Sequence, residues 1–219
     1  MITSHQNPTL QEVRRLNAKR DGGRFVAEGE DLLAAADAAG WTPVVRLRAG
    51  IDVSAEALAK VSSLGSGTRE LAIYEERWDV PAGPLCVALW GIKDPGNVGT
   101  ILRGALAFGA SSVAIGPETA DPYGPKAVRA SMGAVFAVPV ARVTSVADLP
   151  GPTIALAARE GDPLTPADRG TLVIGAERAG LPADVVEGCD RVRHIPIHSE
   201  SLNAAMAATI ALYEVGRDA

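Results

Sequence analysis

The segment DPGNVGTILRGALAFG, residues 94–109, carries residue types that could handle a phosphate or a ribose. Gly96 and Gly99 permit tight backbone turns, and Asn97 can cap the start of a helix. The helical spacing predicts a buried stripe that contains Ile101, Leu102, Ala105, Leu106 and Phe108. Arg103 falls on the other side, where its guanidinium can reach an anion near the helix start. A capped helix with a surface arginine fits the same residues.

The glycines also suggest a dinucleotide site, as in an NAD-type oxidoreductase. That fingerprint needs G-x-G-x-x-G and an acidic residue after the next strand. Here the glycines stand at positions 96, 99, 104 and 109, and Ile115 is followed by Gly116 and Pro117. The spacing disfavours this alternative.

Two later segments combine a strand end with polar residues. VIGAERAGLP, residues 173–182, predicts a strand that ends at Gly175 and is followed by Glu177 and Arg178. HIPIHSESLNAAMAATIALYEV, residues 194–215, predicts a strand that ends near Ile197. A helix follows, capped by Ser199 or Ser201. An ordinary strand-to-helix turn and a capped core helix are the alternatives.

The elements that must position these segments are apolar runs separated by helical patterns. The runs are Leu85–Trp90, Ser112–Ile115, Val135–Val140, Thr153–Ala158, Thr171–Ile174 and Val192–Ile197. Continuous apolar runs favour strands buried on both faces of a parallel sheet. Ligands of such sheets bind at the carboxyl ends of the strands. The fold class is therefore predicted to be α/β.

The pattern of the first part of the chain, residues 1–80, predicts a separate small α/β unit. The Pro/Gly-rich residues 79–84 are typical of a linker. Residues 81–219 form the second predicted domain. A basic cluster lies early in the chain and contains Arg14, Arg15, Lys19, Arg20 and Arg24. Such a cluster can hold phosphates, and a solvated helix face explains it as well.

Composition excludes several classes of protein. The 219 residues carry a net charge of −5, which is not typical of a broadly basic nucleic-acid binder. No apolar stretch reaches the roughly 18 residues that a membrane span needs, and the first residues lack a signal-peptide core. A cytoplasmic protein is expected. Cys86 and Cys189 are expected to be free buried thiols, and the three histidines have no metal-ligand spacing.

Taken in order, the three segments resemble the three motifs of the SpoU/TrmH family of RNA ribose methyltransferases, within the SPOUT class. DPYGPKAVRASMGAVFAVPV, residues 121–140, is similar to a family segment between the first two motifs. The resemblance covers about residues 85–216. SHQNPTLQEVRRL and RFVAEGEDLL resemble the family's small ribosomal-protein-like substrate-binding domain.

The resemblance implies a parallel sheet whose C-terminal stretch forms a deep trefoil knot, and a homodimer through the catalytic domain. It implies methyl transfer from S-adenosylmethionine to a ribose 2′-hydroxyl in tRNA or rRNA, with no metal and no membrane. The implied catalytic residues are Asn97, Arg103, Glu177, Ser201 and Asn203, and the cofactor-binding residues are Ala157, Gly175, Ile195, Ile197 and Leu202. The expected RNA contacts are Arg14, Arg15, Lys19, Arg20 and Arg129.

The chain departs from the family pattern at two places. Only His198, Ser199 and Glu200 separate IPI from SLN, and Arg178 stands where the family often has a glycine. We expect His198 or Glu200 to enter the cofactor pocket, and Arg178 either to add a phosphate contact or to narrow the site. A non-catalytic RNA-binding protein of the same fold remains the alternative.

Overall fold

Two β-sheets organise the computed structural model, which describes residues 1–4, 6–18, 23–64 and 67–217. The first sheet has three antiparallel strands in the order β1-β3-β2. The helices and strands of this first part of the chain are α1 (Pro8–Ala18), β1 (Arg24–Glu28), α2 (Glu30–Ala38), β2 (Val45–Arg48), α3 (Ala55–Ala59) and β3 (Glu70–Glu75). The buried face of α1 is formed by Leu10, Val13 and Leu16, which recur at helical spacing.

Helix α3 is short, with five residues. It ends at Ala59, and the following serines bond the buried carboxylate of Glu28 instead of extending the helix. Ser62 donates its hydroxyl to Glu28 at 2.6 Å, and the backbone N–H of Ser63 donates to the same carboxylate at 2.9 Å. A buried carboxylate needs such donors, and satisfying it ends the helix.

The second sheet has seven strands in the order β6-β5-β4-β9-β7-β10-β8, and every recorded strand pair in it is parallel. Its strands are β4 (Cys86–Leu89), β5 (Ser112–Ile115), β6 (Val140–Arg142), β7 (Thr153–Ala157), β8 (Asp162–Pro163), β9 (Thr171–Ile174) and β10 (Arg191–His194). The helices are α4 (Pro95–Ala107), α5 (Pro125–Ala130), α6 (Ala134–Ala137), α7 (Ala183–Glu187) and α8 (Ala204–Gly216), with a 3₁₀ turn at Val146–Asp148. The predicted α/β fold with a parallel sheet is confirmed.

The register of the parallel sheet brings four strand ends to one edge. Leu89 of β4 and Leu156 of β7 both lie beside Ile174 of β9, and His194 of β10 lies beside Ala157. The segments that follow these strands, residues 90–94, 158–161, 175–182 and 195–203, therefore start from the same edge. This is the edge at which the sequence places its polar residues.

Several details of the sequence interpretation are wrong. The strand predicted to end near Ile197 ends at His194. The apolar run Val135–Val140 is not one strand: α6 occupies its first part, and β6 begins only at Val140, after Pro139. Gly133 explains this, because its φ of 90° starts a new helical turn. Leu106 is not in the buried stripe of α4, since 46% of its surface is exposed.

Helix α4 lies close to α5 because Gly99 has no side chain. A Cβ at Gly99 would lie 2.3 Å from the carbonyl oxygen of Ala127 and 2.7 Å from the Cβ of Ala130. The second glycine of the PGNVG sequence, Gly99, therefore serves helix packing, and no phosphate loop is needed to explain it.

An aromatic cluster joins the two sheets into one core. Phe25, Trp41 and Tyr74 come from the first part of the chain and pack against Tyr123 and Phe136 of the second part. The indole of Trp41 donates to the carbonyl of Phe136 at 2.8 Å, and its ring centroid lies 5.2 Å from that of Phe136. Unfolding of either part would expose rings of the other.

We therefore expect Trp41→Ala to destabilise the whole chain by about 3–5 kcal/mol, the usual cost of deleting a buried aromatic side chain. Chemical denaturation would show one transition at a lower midpoint. Thr42→Ala, at the exposed neighbouring position, is the control and should change stability by less than about 0.5 kcal/mol. Two separate transitions, with only one of them shifted by Trp41→Ala, would contradict the shared core.

Candidate active site

A cavity of about 590 Å³ opens at the carboxyl edge of the parallel sheet. The segments after β7, β9 and β10 and the first turn of α8 form its walls. All five predicted cofactor-binding residues line this cavity: Ala157, Gly175, Ile195, Ile197 and Leu202. Two of the predicted catalytic residues, Glu177 and Ser201, line it as well. Its volume is in the range of small-molecule sites in proteins.

One wall of the cavity depends on close backbone packing at Gly175. A Cβ at this position would lie 2.4 Å from the carbonyl carbon of Gly180 and 2.5 Å from the nitrogen of Leu181. The loop is closed by two hydrogen bonds between Ala176 and Gly180, of 2.9 and 3.2 Å. Only glycine lets the loop fold back over the end of β9 without displacing its backbone.

Three polar side chains connect the predicted motifs, and we call them the Glu177–Asn97–Asn203 relay. The carboxylate of Glu177 accepts a hydrogen bond from the side-chain amide of Asn97. The carbonyl of that amide accepts from Asn203 Nδ2 at 3.0 Å. The relay thereby joins the loop after β9, the first turn of α4 and the start of α8.

The helix caps differ from those that the sequence suggested. Asp94, not Asn97, caps α4, because its carboxylate accepts from the N–H of Gly96 at 2.8 Å and Pro95 occupies the first helical position. Neither Ser199 nor Ser201 caps α8. Asn203 does, since its carbonyl oxygen accepts from the N–H of Ala205 at 3.0 Å.

Arg103 is exposed on α4, as the helical spacing predicted, and it lies outside the cavity lining. Within the described part of the chain it has no hydrogen bond or ion pair, so its guanidinium is available.

Helix α4 packs on α8, where a Cβ at Gly104 would lie 3.3 Å from the hydroxyl of Thr209. The large apolar residues that these two helices expose are Leu106, Met206, Ile210 and Tyr213, which we call the α4–α8 apolar face.

The two departures from the family pattern have different outcomes. Glu200 lines the cavity, whereas His198 lies in an adjoining cleft with Arg159 and His194. Arg178 also lines the cavity and is exposed.

Sequence reasoning missed Glu160, which enters the lining from the loop after β7, because no motif marks that loop.

A buried carboxylate holds the segment between β8 and β9 in place. Asp168, 2% exposed, accepts from Arg193 Nε at 3.0 Å and from the hydroxyl of Thr165 at 3.0 Å. Arg191 donates to the same carboxylate at 3.1 Å. Burial raises the pKa of Asp168, but the hydrogen bonds from Arg193 and Thr165 outweigh it and hold the pKa below its usual range. The segment between β8 and β9 is thereby tied to β10.

The predicted RNA-contacting residues are spread over two helices. Arg14 and Arg15 are exposed on α1, and Arg129 is exposed on α5. Lys19 and Arg20 lie outside the described residues. Arg24, which belongs to the same basic cluster in the sequence, is paired with Glu12 at 3.1 Å.

The described ranges contain no group of three or more His, Cys, Asp or Glu side chains that could hold a metal ion. Among the helices of those ranges, none is long and apolar enough to cross a membrane.

Comparison with known proteins decides the family. The model of the SpoU rRNA methylase family matches residues 84–213, which include the relay, the cavity and Arg103. The chain belongs to this family. The match begins close to the start of β4 and ends within α8.

Individual relatives agree with this assignment. A tRNA/rRNA methyltransferase of Synechocystis is 32% identical, over 99% of this chain and 93% of the relative. A 23S rRNA guanosine 2′-O-methyltransferase of Bacillus subtilis is 33% identical, over 57% of this chain and 54% of that protein. The solved structure of an AdoMet-bound rRNA methyltransferase from Sinorhizobium meliloti is 28% identical. It aligns with a TM-score of 0.87 and covers 99% of this SpoU family chain and 97% of its own.

The geometry at Gly175 generates a prediction for this SpoU family chain. Gly175→Ala should displace the 176–181 loop and accelerate amide hydrogen exchange at Ala176 and Gly180 by about tenfold or more, because their mutual hydrogen bonds open. Gly216→Ala is the control, since a Cβ there would meet nothing within 4 Å. Unchanged exchange in Gly175→Ala would show that the loop does not depend on this close approach.

Proposed function

We propose that this chain is an S-adenosylmethionine-dependent RNA 2′-O-ribose methyltransferase that acts on tRNA or rRNA. The observation that carries the proposal is the arrangement at one sheet edge. A cavity of about 590 Å³ is joined by the Glu177–Asn97–Asn203 relay to the helix that bears an unpaired Arg103. The solved relative from Sinorhizobium meliloti binds AdoMet, and the Bacillus subtilis relative is a 2′-O-methyltransferase of 23S rRNA.

The size of the cavity and the chemistry of its lining suit the proposed cofactor. Leu156, Ile174, Leu181, Ile195 and Ile197 offer apolar surface for an adenine ring. Gly175 adds no side-chain atoms to the cavity wall, where its backbone lies close to that of Gly180 and Leu181. Carboxylates in the lining, of which Glu160 and Glu200 are free of the relay, suit a cofactor that carries positive charge.

When bound, S-adenosylmethionine supplies a methyl group on a sulfonium that can pass to a ribose 2′-oxygen. The hydroxyl is a poor nucleophile until its proton leaves or its developing charge is stabilised. A guanidinium has no free lone pair with which to take up a proton, so direct proton abstraction by an arginine is chemically demanding. We propose that Arg103 orients the adjacent RNA phosphate and stabilises the developing alkoxide, while the relay fixes the first turn of its helix. The hydroxyl proton passes to an oxygen of that phosphate or to water.

We propose that the site is completed in a homodimer. The α4–α8 apolar face exposes 46% of Leu106 and 56% of Tyr213, next to the helix surface that carries Arg103. Tyr213 already packs edge-on against Phe108, at a centroid distance of 6.2 Å. Exposed apolar patches of this kind mark protein contacts. A second copy of this chain seated there would bring one protomer's Arg103 near its partner's site.

We further propose the family's C-terminal trefoil knot and two-part organisation. The segment after β10 returns past β7 to reach α8, which packs on α4 and β9. In the proposed knot, residues 195–203 pass through the loops that follow β7 and β9. Residues 1–80 would bind RNA through Arg14 and Arg15, and residues 81–219 would carry the methyltransferase site. A cytoplasmic enzyme follows from such a substrate.

Replacement of Arg103 tests the proposed chemistry. Arg103→Ala should lower methyl transfer to RNA by about 100-fold or more, the usual cost of losing one charge-stabilising donor. Its affinity for S-adenosylmethionine, measured by calorimetry, should stay within about twofold, because Arg103 does not line the cavity. Arg69→Ala, at another exposed arginine, is the charge-matched control. Normal turnover in Arg103→Ala would remove Arg103 from the mechanism.

A charged residue introduced into the α4–α8 apolar face tests whether the chain forms the proposed homodimer. Tyr213→Arg should convert a dimer to a monomer in sedimentation analysis and lower methyl transfer with it, because a guanidinium would be buried without a partner. Val80→Arg adds the same charge at a site that is 78% exposed and should remain dimeric. A wild-type protein that sediments as a monomer would contradict the proposed assembly.

A further inference from the structure

Arg178 lines the cavity but belongs neither to the Glu177–Asn97–Asn203 relay nor to the role proposed for Arg103. It directly follows Glu177 in the loop after β9 and lines the same cavity. Glu177 turns away to accept a hydrogen bond from Asn97, whereas Arg178 has no hydrogen bond or ion pair with any other described residue. Of the lining residues, all of which the structure describes, Arg178 is the single cation.

Two carboxylates enter the cavity from other loops. Glu160 comes from the loop after β7, and Glu200 comes from the short connection before α8. Neither has an ion-pair or hydrogen-bond partner among the described residues. Leaving aside Glu177, the lining therefore combines one guanidinium and two carboxylates with mainly apolar surroundings.

This combination matches the two charges of an amino acid. A guanidinium binds a carboxylate through a planar pair of N–H donors, and carboxylates bind an ammonium. We propose that Arg178 holds the α-carboxylate of the cofactor's aminoacyl end, while Glu160 and Glu200 face its α-ammonium. This inference rests on the proposed function, because it assigns residues to one end of the cofactor.

An RNA phosphate is the competing ligand for Arg178. A polyanion at this point would also approach Glu160 and Glu200, and like charges at short range repel. The cleft on the other side of the loop, lined by Arg159, His194 and His198, contains no carboxylate side chain in its lining. The charge pattern therefore favours the zwitterion in the cavity.

Calorimetry on the full chain separates the two halves of the proposed site with three probes. S-adenosylmethionine carries both charges, decarboxylated S-adenosylmethionine lacks the carboxylate, and methylthioadenosine lacks the whole aminoacyl end. Arg178→Gln should weaken binding of S-adenosylmethionine by about tenfold, the scale of a charge-assisted hydrogen bond, and leave the other two probes unchanged. Combined Glu160→Gln and Glu200→Gln should weaken both amine-bearing probes and spare methylthioadenosine.

Two further variants serve as controls. Arg178→Lys keeps the charge and should recover part of the lost affinity. Arg159→Gln removes a nearby charge that does not line the cavity and should change none of the three affinities.

Equal losses for all three probes in Arg178→Gln would show that Arg178 only shapes the cavity and would overturn the assignment. Unchanged cofactor affinity with weaker RNA binding would overturn it in favour of a phosphate contact. A wild-type protein that binds none of the three probes would instead overturn the proposed function itself.

Discussion

The hydrogen bonds of one amide hold together parts of the chain that are far apart in sequence. Asn97 lies 80 residues from Glu177 and 106 from Asn203, and its side chain bonds both. Its orientation is fixed, since a carboxylate can only accept and the amide must therefore turn its NH₂ toward Glu177. Its carbonyl then faces Asn203, whose own carbonyl is left to cap α8. The relay thus sets the direction of each amide and the position of the last helix.

This constraint separates the site into two regions. On one side, the loops after β7, β9 and β10 enclose a cavity. Its charged residues are suited to a cofactor that carries a sulfonium cation and a zwitterionic aminoacyl end. On the other side, α4 presents Arg103 to the exterior beside the α4–α8 apolar face. The relay connects these regions because it is anchored in both. Cofactor binding and substrate activation can therefore depend on different residues while sharing one rigid support.

The sequence was most informative where chemistry follows from strand ends. Ala157, Gly175 and Leu202 could be predicted to meet, because parallel strands end at one edge; their contact with a cofactor stays a prediction. Capping was harder, since several polar residues compete within a few positions, although Pro95 after Asp94 was a usable signal. The exposure of Leu106 could not be predicted, because helical periodicity does not specify how wide the buried face is. Glu160 carried no local signal at all.

The central claim concerns the atom that receives the methyl group. The direct measurement incubates the purified protein with RNA and S-adenosylmethionine bearing a deuterated methyl group, digests the RNA to nucleosides and locates the label by mass spectrometry. The account predicts label on the ribose, as a 2′-O-methylated nucleoside from tRNA or rRNA. Label on a base, or no label in any RNA while the protein binds the cofactor, would contradict it.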